Sequence, residues 1–189
     1  MRLSRSATLV VIDMQQVFAD PASGWYTPGF SQLLQPIRQL AAAFDGAALA
    51  TRFLAPAEPS GAWRDYYRQW PFALQPPSWP GFQLVPEVAE LGLPTLITET
   101  FGKWTAELAG RVTDELVLAG VSTDCCVLST ALAAADAGIR VLVAEQACAG
   151  ADQPSHQQAL AAMRLYAPLV EVVSVVELLA ARQENVPTD

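Results

Sequence analysis

The sequence predicts an α/β fold of three layers, in which helices cover both sides of a six-stranded, mainly parallel sheet. Six apolar, β-branched runs of strand length recur along the chain, and alanine- and leucine-rich stretches with helical spacing lie between them. The strand runs are apolar on both faces, which is typical of parallel strands buried under two layers of helices. Together these observations favour an α/β/α sandwich.

The predicted elements alternate along the whole chain. Strands are expected at residues 8–12, 47–51, 94–98, 115–119, 140–144 and 170–175. Helices are expected at residues 30–44, 105–112, 125–137, 154–166 and 176–181. Because ligands bind at the carboxyl ends of the strands in such sheets, reactive side chains should directly follow strands.

Length and composition favour one domain. With 189 residues, of which 52% are hydrophobic, the chain can fill one core, whereas two domains would each be short of residues. We predict a single domain over residues 1–182 and a frayed tail over 183–189. Residues 53–83 interrupt the alternation with many prolines and aromatic residues. This insertion either packs onto the body of the domain or forms a wall of a pocket.

Charge, the length of apolar runs and cysteine content indicate which partners and which cellular compartment to expect. The formal charge is −8, from 19 acidic and 11 basic residues without a basic cluster, so nucleic acid is not an expected partner. The first apolar run, residues 7–12, is far shorter than the roughly 20 residues that cross a bilayer, so no membrane partner is expected. Three cysteines, two of them adjacent, cannot form a disulfide framework, and no secretory signal is found, which favours the cytoplasm.

Three predicted strands are followed by residues with acid–base or nucleophilic chemistry. Asp13 follows the first strand, where an aspartate caps a turn about as often as it acts as a base. Lys103, the only lysine of the chain, follows the third strand and is either a surface residue or a cation that lowers a thiol pKa. Cys125 and Cys126 begin the helix after the fourth strand, where a buried cysteine is commonly inert but a helix N-terminus favours the thiolate. One sheet edge thus carries the groups that nucleophilic acyl transfer requires.

The stretches around these residues resemble the three motifs of the isochorismatase-like cysteine hydrolase superfamily, which includes nicotinamidases and N-carbamoylsarcosine amidases. They read Val-Val-Ile-Asp-Met-Gln at 10–15, Gly-Lys at 102–103 and Gly-Val-Ser-Thr-Asp-Cys-Cys-Val at 120–127. Their order and spacing match along nearly the whole chain. The resemblance implies a catalytic group of Asp13, Lys103 and Cys126, with Cys126 as the nucleophile because it directly precedes a valine.

The resemblance implies further features of the site. A cis peptide bond is expected between Val121 and Ser122, with the backbone N–H groups of Ser122 and Cys126 forming the oxyanion hole. Phe18 is expected to be an aromatic wall against the substrate or a core residue, and Trp70 a second wall. A homodimer or homotetramer is also expected, as family members tend to form such assemblies.

The chain departs from nicotinamidases at their metal site. Where they carry Asp-x-His and a further histidine, residues 51–56 read Thr-Arg-Phe-Leu-Ala-Pro. His156 is the only histidine, and one imidazole cannot build a zinc site, so no metal or other cofactor is expected and His156 is predicted to be structural. Arg52 takes the vacated position, where it could bind a substrate carboxylate or pair with a local acid.

The predicted function is hydrolysis of a C–N bond in a small amide, ureide or carbamoyl compound through a thioester. Two alternatives stay open. Some members of the superfamily cleave a vinyl ether, and the chain could also be a catalytically idle binding or assembly module of the same fold. The presence of Cys126 favours the amidase over the vinyl-ether hydrolase, whereas the idle module predicts a Cys126 that is no more reactive than Cys148.

Overall fold

Six parallel strands form one sheet in the computed structural model, which describes residues 2–184. The strands are β1 (Thr8–Ile12), β2 (Ala48–Phe53), β3 (Thr95–Thr98), β4 (Glu115–Val121), β5 (Arg140–Ala149) and β6 (Val170–Val173). Their order in the sheet is β3-β2-β1-β4-β5-β6. The direction of winding changes between β1 and β4, which is where open parallel sheets bind ligands.

Eight α-helices connect the strands within the described residues. They are α1 (Gln16–Ala19), α2 (Leu34–Ala43), α3 (Trp63–Gln69), α4 (Pro86–Ala89), α5 (Ala106–Ala109), α6 (Leu128–Asp136), α7 (Gln153–Arg164) and α8 (Val175–Glu184). Short 3₁₀ helices occupy Phe30–Leu33, Pro71–Ala73 and Pro80–Phe82, and one π-helical turn occupies Thr123–Val127. No helix in residues 2–184 combines the length and apolar character needed to cross a membrane.

The central strand β1 divides the core into two layers. All five of its residues are buried. Leu9 and Val11 belong to one hydrophobic cluster with residues of α2 and α8, whereas Val10 and Ile12 belong to another with residues of α5, α6 and α7. Because side chains alternate between the faces of a strand, an unbroken apolar run buries both faces of the sheet at once.

The predicted three-layer α/β/α fold is confirmed, but several elements begin or end at residues other than those predicted. Strand β5 continues to Ala149, five residues beyond its predicted end at 144. The predicted helix over 125–137 begins with the π-helical turn instead of a regular α-helical turn. Gln183 and Glu184, assigned to the tail, belong to α8, and the rest of the predicted tail lies outside the described residues.

The insertion packs onto the sheet through its own small core and one buried side chain of the body. Phe53, Tyr67 and Phe82 are buried within this core. The Gln15 side chain is fully buried and its Nε2 donates to the carbonyls of Phe53 and Phe82 at 2.9 and 2.8 Å. Its Oε1 accepts from the Phe53 N–H at 2.8 Å. One amide therefore ties both ends of the insertion to the chain just after β1.

Gly120 permits the close pairing of β1 with β4, and alanine there should be strongly destabilising. Its φ is +109°, and a Cβ atom would lie 2.1 Å from the Ile12 carbonyl oxygen in the centre of the sheet. Gly46 is the matched control, because its φ is +73° and a Cβ would meet no heavy atom within 4 Å. In urea denaturation, Gly46→Ala should lose about 1 kcal/mol and Gly120→Ala more than about 3 kcal/mol of unfolding free energy. Equal losses would show that the contact with Ile12 is relieved at little cost.

Candidate active site

The carboxyl edge of the sheet brings the predicted catalytic residues together. Asp13 directly follows β1, and Lys103 lies in the loop after β3. Cys126 lies in the π-helical turn after β4, which neighbours β1 in the sheet. Residues from three separate parts of the sequence thus meet where the winding of the sheet changes direction.

Asp13 is held in one orientation by the neighbouring strand. It is fully buried, and the Thr51 hydroxyl on β2 donates to its Oδ1 at 2.7 Å. The Asp13 backbone N–H donates to the same hydroxyl oxygen at 3.2 Å. The backbone of Asp13 is left-handed, with φ of +47°, a conformation that aspartate tolerates better than most residues. The tight turn and Thr51 together fix the carboxylate after the end of β1.

Lys103 forms an ion pair with Asp13 inside the protein. Both side chains are fully buried, and Lys103 Nζ lies 2.7 Å from Asp13 Oδ2. The ammonium donates to Thr98 Oγ1 at 2.9 Å and to the Thr100 carbonyl at 3.0 Å, and lies 5.3 Å from the centre of the Phe53 ring. A buried charge requires such partners, because desolvation without them is costly. Lys103 is therefore not a surface lysine.

Cys126 lies beside this pair on a turn of unusual geometry. The Val121–Ser122 peptide bond is cis, which confirms the expectation from the resemblance. The Ser122 carbonyl accepts from the N–H groups of Cys125 and Val127, both at 3.1 Å. The Cys126 side chain is buried, with 4% of its surface exposed.

Thr130 connects the segments that carry Cys126 and Lys103. Its hydroxyl donates to the Cys126 carbonyl at 2.6 Å and accepts from the Lys103 backbone N–H at 2.9 Å. The residue lies one turn after Cys126 along the helix, and it is fully buried. The positions of Lys103 and Cys126 are therefore coupled through one hydroxyl.

The thiol pKa differs from the expectation drawn from the sequence. Burial raises the pKa of Cys126, and the Asp13 carboxylate and a hydrogen bond to it raise it further. The Lys103 ammonium lowers this pKa, as expected, but burial is the larger effect and outweighs it. The pKa of the buried thiol is therefore raised, whereas the helix N-terminus suggested a bias towards the thiolate.

A cavity of about 410 Å³ opens above Cys126. Ser122, Cys125 and Cys126 line one end of it. The remaining wall is mainly aromatic and includes Phe18, Trp25, Phe53, Tyr66, Trp70 and Phe101. The two predicted wall residues, Phe18 and Trp70, thus both line the cavity. The insertion also contributes Tyr66 on α3, so it both packs onto the body and forms part of the wall.

Arg52 is not brought to the cavity. It lies on β2 between Thr51, which contacts Asp13, and Phe53, which lines the cavity, so alternation along the strand directs its side chain to the other face. Its Nε donates to the Phe82 carbonyl at 2.9 Å. Arg52 therefore supports the insertion and neither lines the substrate space nor pairs with an acid in the described structure.

His156 packs next to the π-helical turn that carries Cys126. Its Nδ1 forms a hydrogen bond of 2.9 Å with the Thr123 hydroxyl, and burial lowers its pKa. Within residues 2–184, His, Cys, Asp and Glu side chains do not gather in any group of three or more suited to a metal ion.

Several wall residues were not singled out from the sequence. Trp25 and Thr27 come from the loop after α1, and Phe101 lies two residues before Lys103. Asp124 also lines the cavity, and its Oδ1 accepts from the Ser122 hydroxyl at 2.6 Å and the Ala151 N–H at 2.9 Å. The aromatic pair at 25 and 26, in an irregular loop before Pro28, was the available signal for the first of these segments.

Comparison with known proteins agrees with the fold and the motifs. A cysteine hydrolase from Pseudomonas syringae pv. phaseolicola 1448A superposes with a TM-score of 0.82 and 19% identity, covering 95% of this chain and 93% of that one. An isochorismatase family protein from Desulfovibrio vulgaris subsp. vulgaris str. Hildenborough superposes with a TM-score of 0.79 and 21% identity, covering 93% of this chain and 97% of that one. A nicotinamidase from Bacillus subtilis superposes with a TM-score of 0.69 and 21% identity, covering 89% of this chain and 99% of that one.

At these identities the solved structures show the fold alone, and no curated protein matches the chain. The family model of the isochorismatase domain matches residues 7–176, which include all six strands and every residue of the predicted catalytic group. The protein therefore belongs to the isochorismatase family of hydrolases.

Proposed function

We propose that the protein is a cysteine hydrolase that cleaves a C–N bond in a small amide, ureide or carbamoyl compound through a thioester intermediate. The observation that carries the proposal is the position of Cys126, which lines the cavity at one side and lies beside the buried Asp13–Lys103 pair at the other. A nucleophile, a base and a space for a small substrate then share one site.

In the acylation step, Asp13 accepts the proton of the Cys126 thiol as the sulfur attacks the substrate carbonyl carbon. A C–S bond forms and the carbonyl π electrons move to the oxygen. The backbone N–H groups of Ser122 and Cys126 stabilise this oxyanion. When the tetrahedral intermediate collapses, the C–N bond breaks, Asp13 returns the proton to the leaving nitrogen, and an acyl thioester remains on Cys126.

In the deacylation step, Asp13 accepts a proton from water as the water oxygen attacks the thioester carbon. The second tetrahedral intermediate collapses with cleavage of the C–S bond, and the proton passes from Asp13 to the Cys126 sulfur. The acid product leaves and the protonated thiol is restored. The raised pKa of the resting thiol fits this cycle, because the thiolate is needed only while Asp13 holds the proton.

Lys103 stabilises the charged form of Asp13 between these steps. The pair is fully buried, and a buried ion pair commonly contributes less to stability than apolar residues of the same size. The presence of such a pair beside a thiol that lines a cavity favours an enzyme over an idle module. Among the structural relatives, one is a cysteine hydrolase and one a nicotinamidase, which supports the amidase proposal.

Replacement of the nucleophile should abolish turnover without affecting the fold. Cys126→Ser should lower kcat/KM by at least about 1,000-fold on whichever amide of a small panel the wild type hydrolyses fastest, measured as amine or ammonia release. Cys148→Ser is the matched control, because Cys148 is also buried yet does not line the cavity. The kcat/KM of this control should stay within a few-fold of the wild-type value. Full activity in Cys126→Ser would exclude the thioester mechanism.

Removing one charge of the buried pair should destabilise the protein more than removing both. Lys103→Met leaves the Asp13 carboxylate without its cation and should cost about 3–5 kcal/mol of unfolding free energy in urea denaturation. Adding Asp13→Asn to this variant should restore part of the loss, because the uncompensated charge is removed. The double variant should be folded and inactive. Additive losses would show that the two side chains are not an energetically coupled pair.

A further inference from the structure

Among the described residues, the cavity wall carries negative charge and no positive charge. Asp124 is the only charged side chain that lines the cavity, and no lysine or arginine of the described chain does so. The nearest buried cation, Lys103, faces Asp13, so the pair presents no net positive charge. Arg52 donates to the Phe82 carbonyl, and Arg68 on α3 pairs with Asp65 on the exposed surface. The site therefore offers an entering anion no unpaired cation.

The rest of the wall is mainly aromatic. Trp25 lies at the centre of this cluster, with its ring centre 5.9 Å from that of Phe18, 6.1 Å from Tyr66 and 6.4 Å from Trp70. Burial raises the pKa of Tyr66, so its hydroxyl stays uncharged. Aromatic rings attract cations through the negative potential of their faces, and they also bury flat apolar groups.

We propose that the cavity selects substrates whose acyl group is uncharged or cationic and rejects those that carry a carboxylate. The inference rests on the proposed function in that it takes the cavity as the space for the acyl group. A carboxylate entering the cavity would lose its hydration, gain no countercharge and lie near Asp124. A flat apolar group would be buried between the rings, and a quaternary ammonium would also gain cation–π attraction.

The buried polar atoms in the wall do not alter this selection. Trp25 Nε1 and Thr27 Oγ1 are buried without a hydrogen-bond partner among the described residues. Both belong to residues that line the cavity, and both are uncharged. They can satisfy one neutral polar group of a ligand, but they supply no charge to offset the desolvation of a carboxylate.

Two pairs of isosteric amides test the selection on the Cys126→Ala variant, which binds without turnover. Isothermal titration calorimetry should give at least tenfold weaker binding for 4-carboxybenzamide than for 4-nitrobenzamide, which has nearly the same shape without the charge. The 4-trimethylammonio compound should bind roughly two- to thirty-fold more tightly than 4-tert-butylbenzamide, the range expected for a cation over aromatic faces. Binding of the carboxylate as tight as that of the nitro compound, or weaker binding of the cation than of its neutral isostere, would overturn the inference.

A second variant and a turnover assay separate the possible causes. Adding Arg52→Gln should leave both ratios unchanged, because Arg52 does not line the cavity and Gln15 still donates to the Phe82 carbonyl. A change in the carboxylate ratio would show that Arg52 reaches the ligand. If the wild type hydrolyses no member of a panel of small amides, ureides and carbamoyl compounds while the ratios hold, the proposed function fails and the charge selection stands. If the wild type hydrolyses the amides while the charged and neutral members of each pair bind equally well, the proposed function stands and the charge selection fails.

Discussion

The ion pair between Asp13 and Lys103 sets the conditions for the whole site. Two opposite charges lie 2.7 Å apart with no exposed surface, so every group around them must either neutralise or solvate them. Thr51 on β2 orients the Asp13 carboxylate by donating a hydrogen bond to it. At the end of β3, the Thr98 hydroxyl and the Thr100 carbonyl accept hydrogen bonds from the Lys103 ammonium. The pair thereby joins the ends of β1, β2 and β3, and Thr130 connects the lysine segment to the turn after β4. The contacts of the proposed catalytic group therefore also join the strands structurally.

Neutrality of the pair also explains the electrostatics of the cavity. The Lys103 ammonium lowers the pKa of Cys126, but burial is the largest effect and raises this pKa above its usual value. Under the proposed selection, substrate binding depends on shape, aromatic contact and cation–π attraction, because the cavity offers no countercharge to an anion. Under the proposed mechanism, the thiolate forms only when the proton can pass to Asp13.

Much of the fold and the centre of the site could be predicted from the sequence, because they depend on local patterns. The apolar run before Asp13 predicts a strand buried on both faces, and strand ends place Asp13, Lys103 and Cys126 at one edge. The side-chain contacts around the insertion could not be predicted in this way. Strand alternation turns Arg52 away from the cavity, but its bond to the Phe82 carbonyl depends on the folded insertion, which Gln15 holds at both ends. The part of the wall from Trp25 to Thr27 lies in an irregular loop without periodicity, and the raised thiol pKa depends on burial that only the folded chain shows.

We propose that the Cys126 sulfur attacks a carbonyl held in the cavity, and this attack can be trapped. Its most direct test is ¹³C NMR of benzaldehyde labelled at the carbonyl carbon, since an aldehyde captures an attacking thiol as a stable tetrahedral adduct. The wild type and Cys125→Ala should both move the signal from the aldehyde region to that of a thiohemiacetal, and Cys126→Ala should not. An adduct that persists in Cys126→Ala, or one that disappears only in Cys125→Ala, would contradict the assignment of the nucleophile.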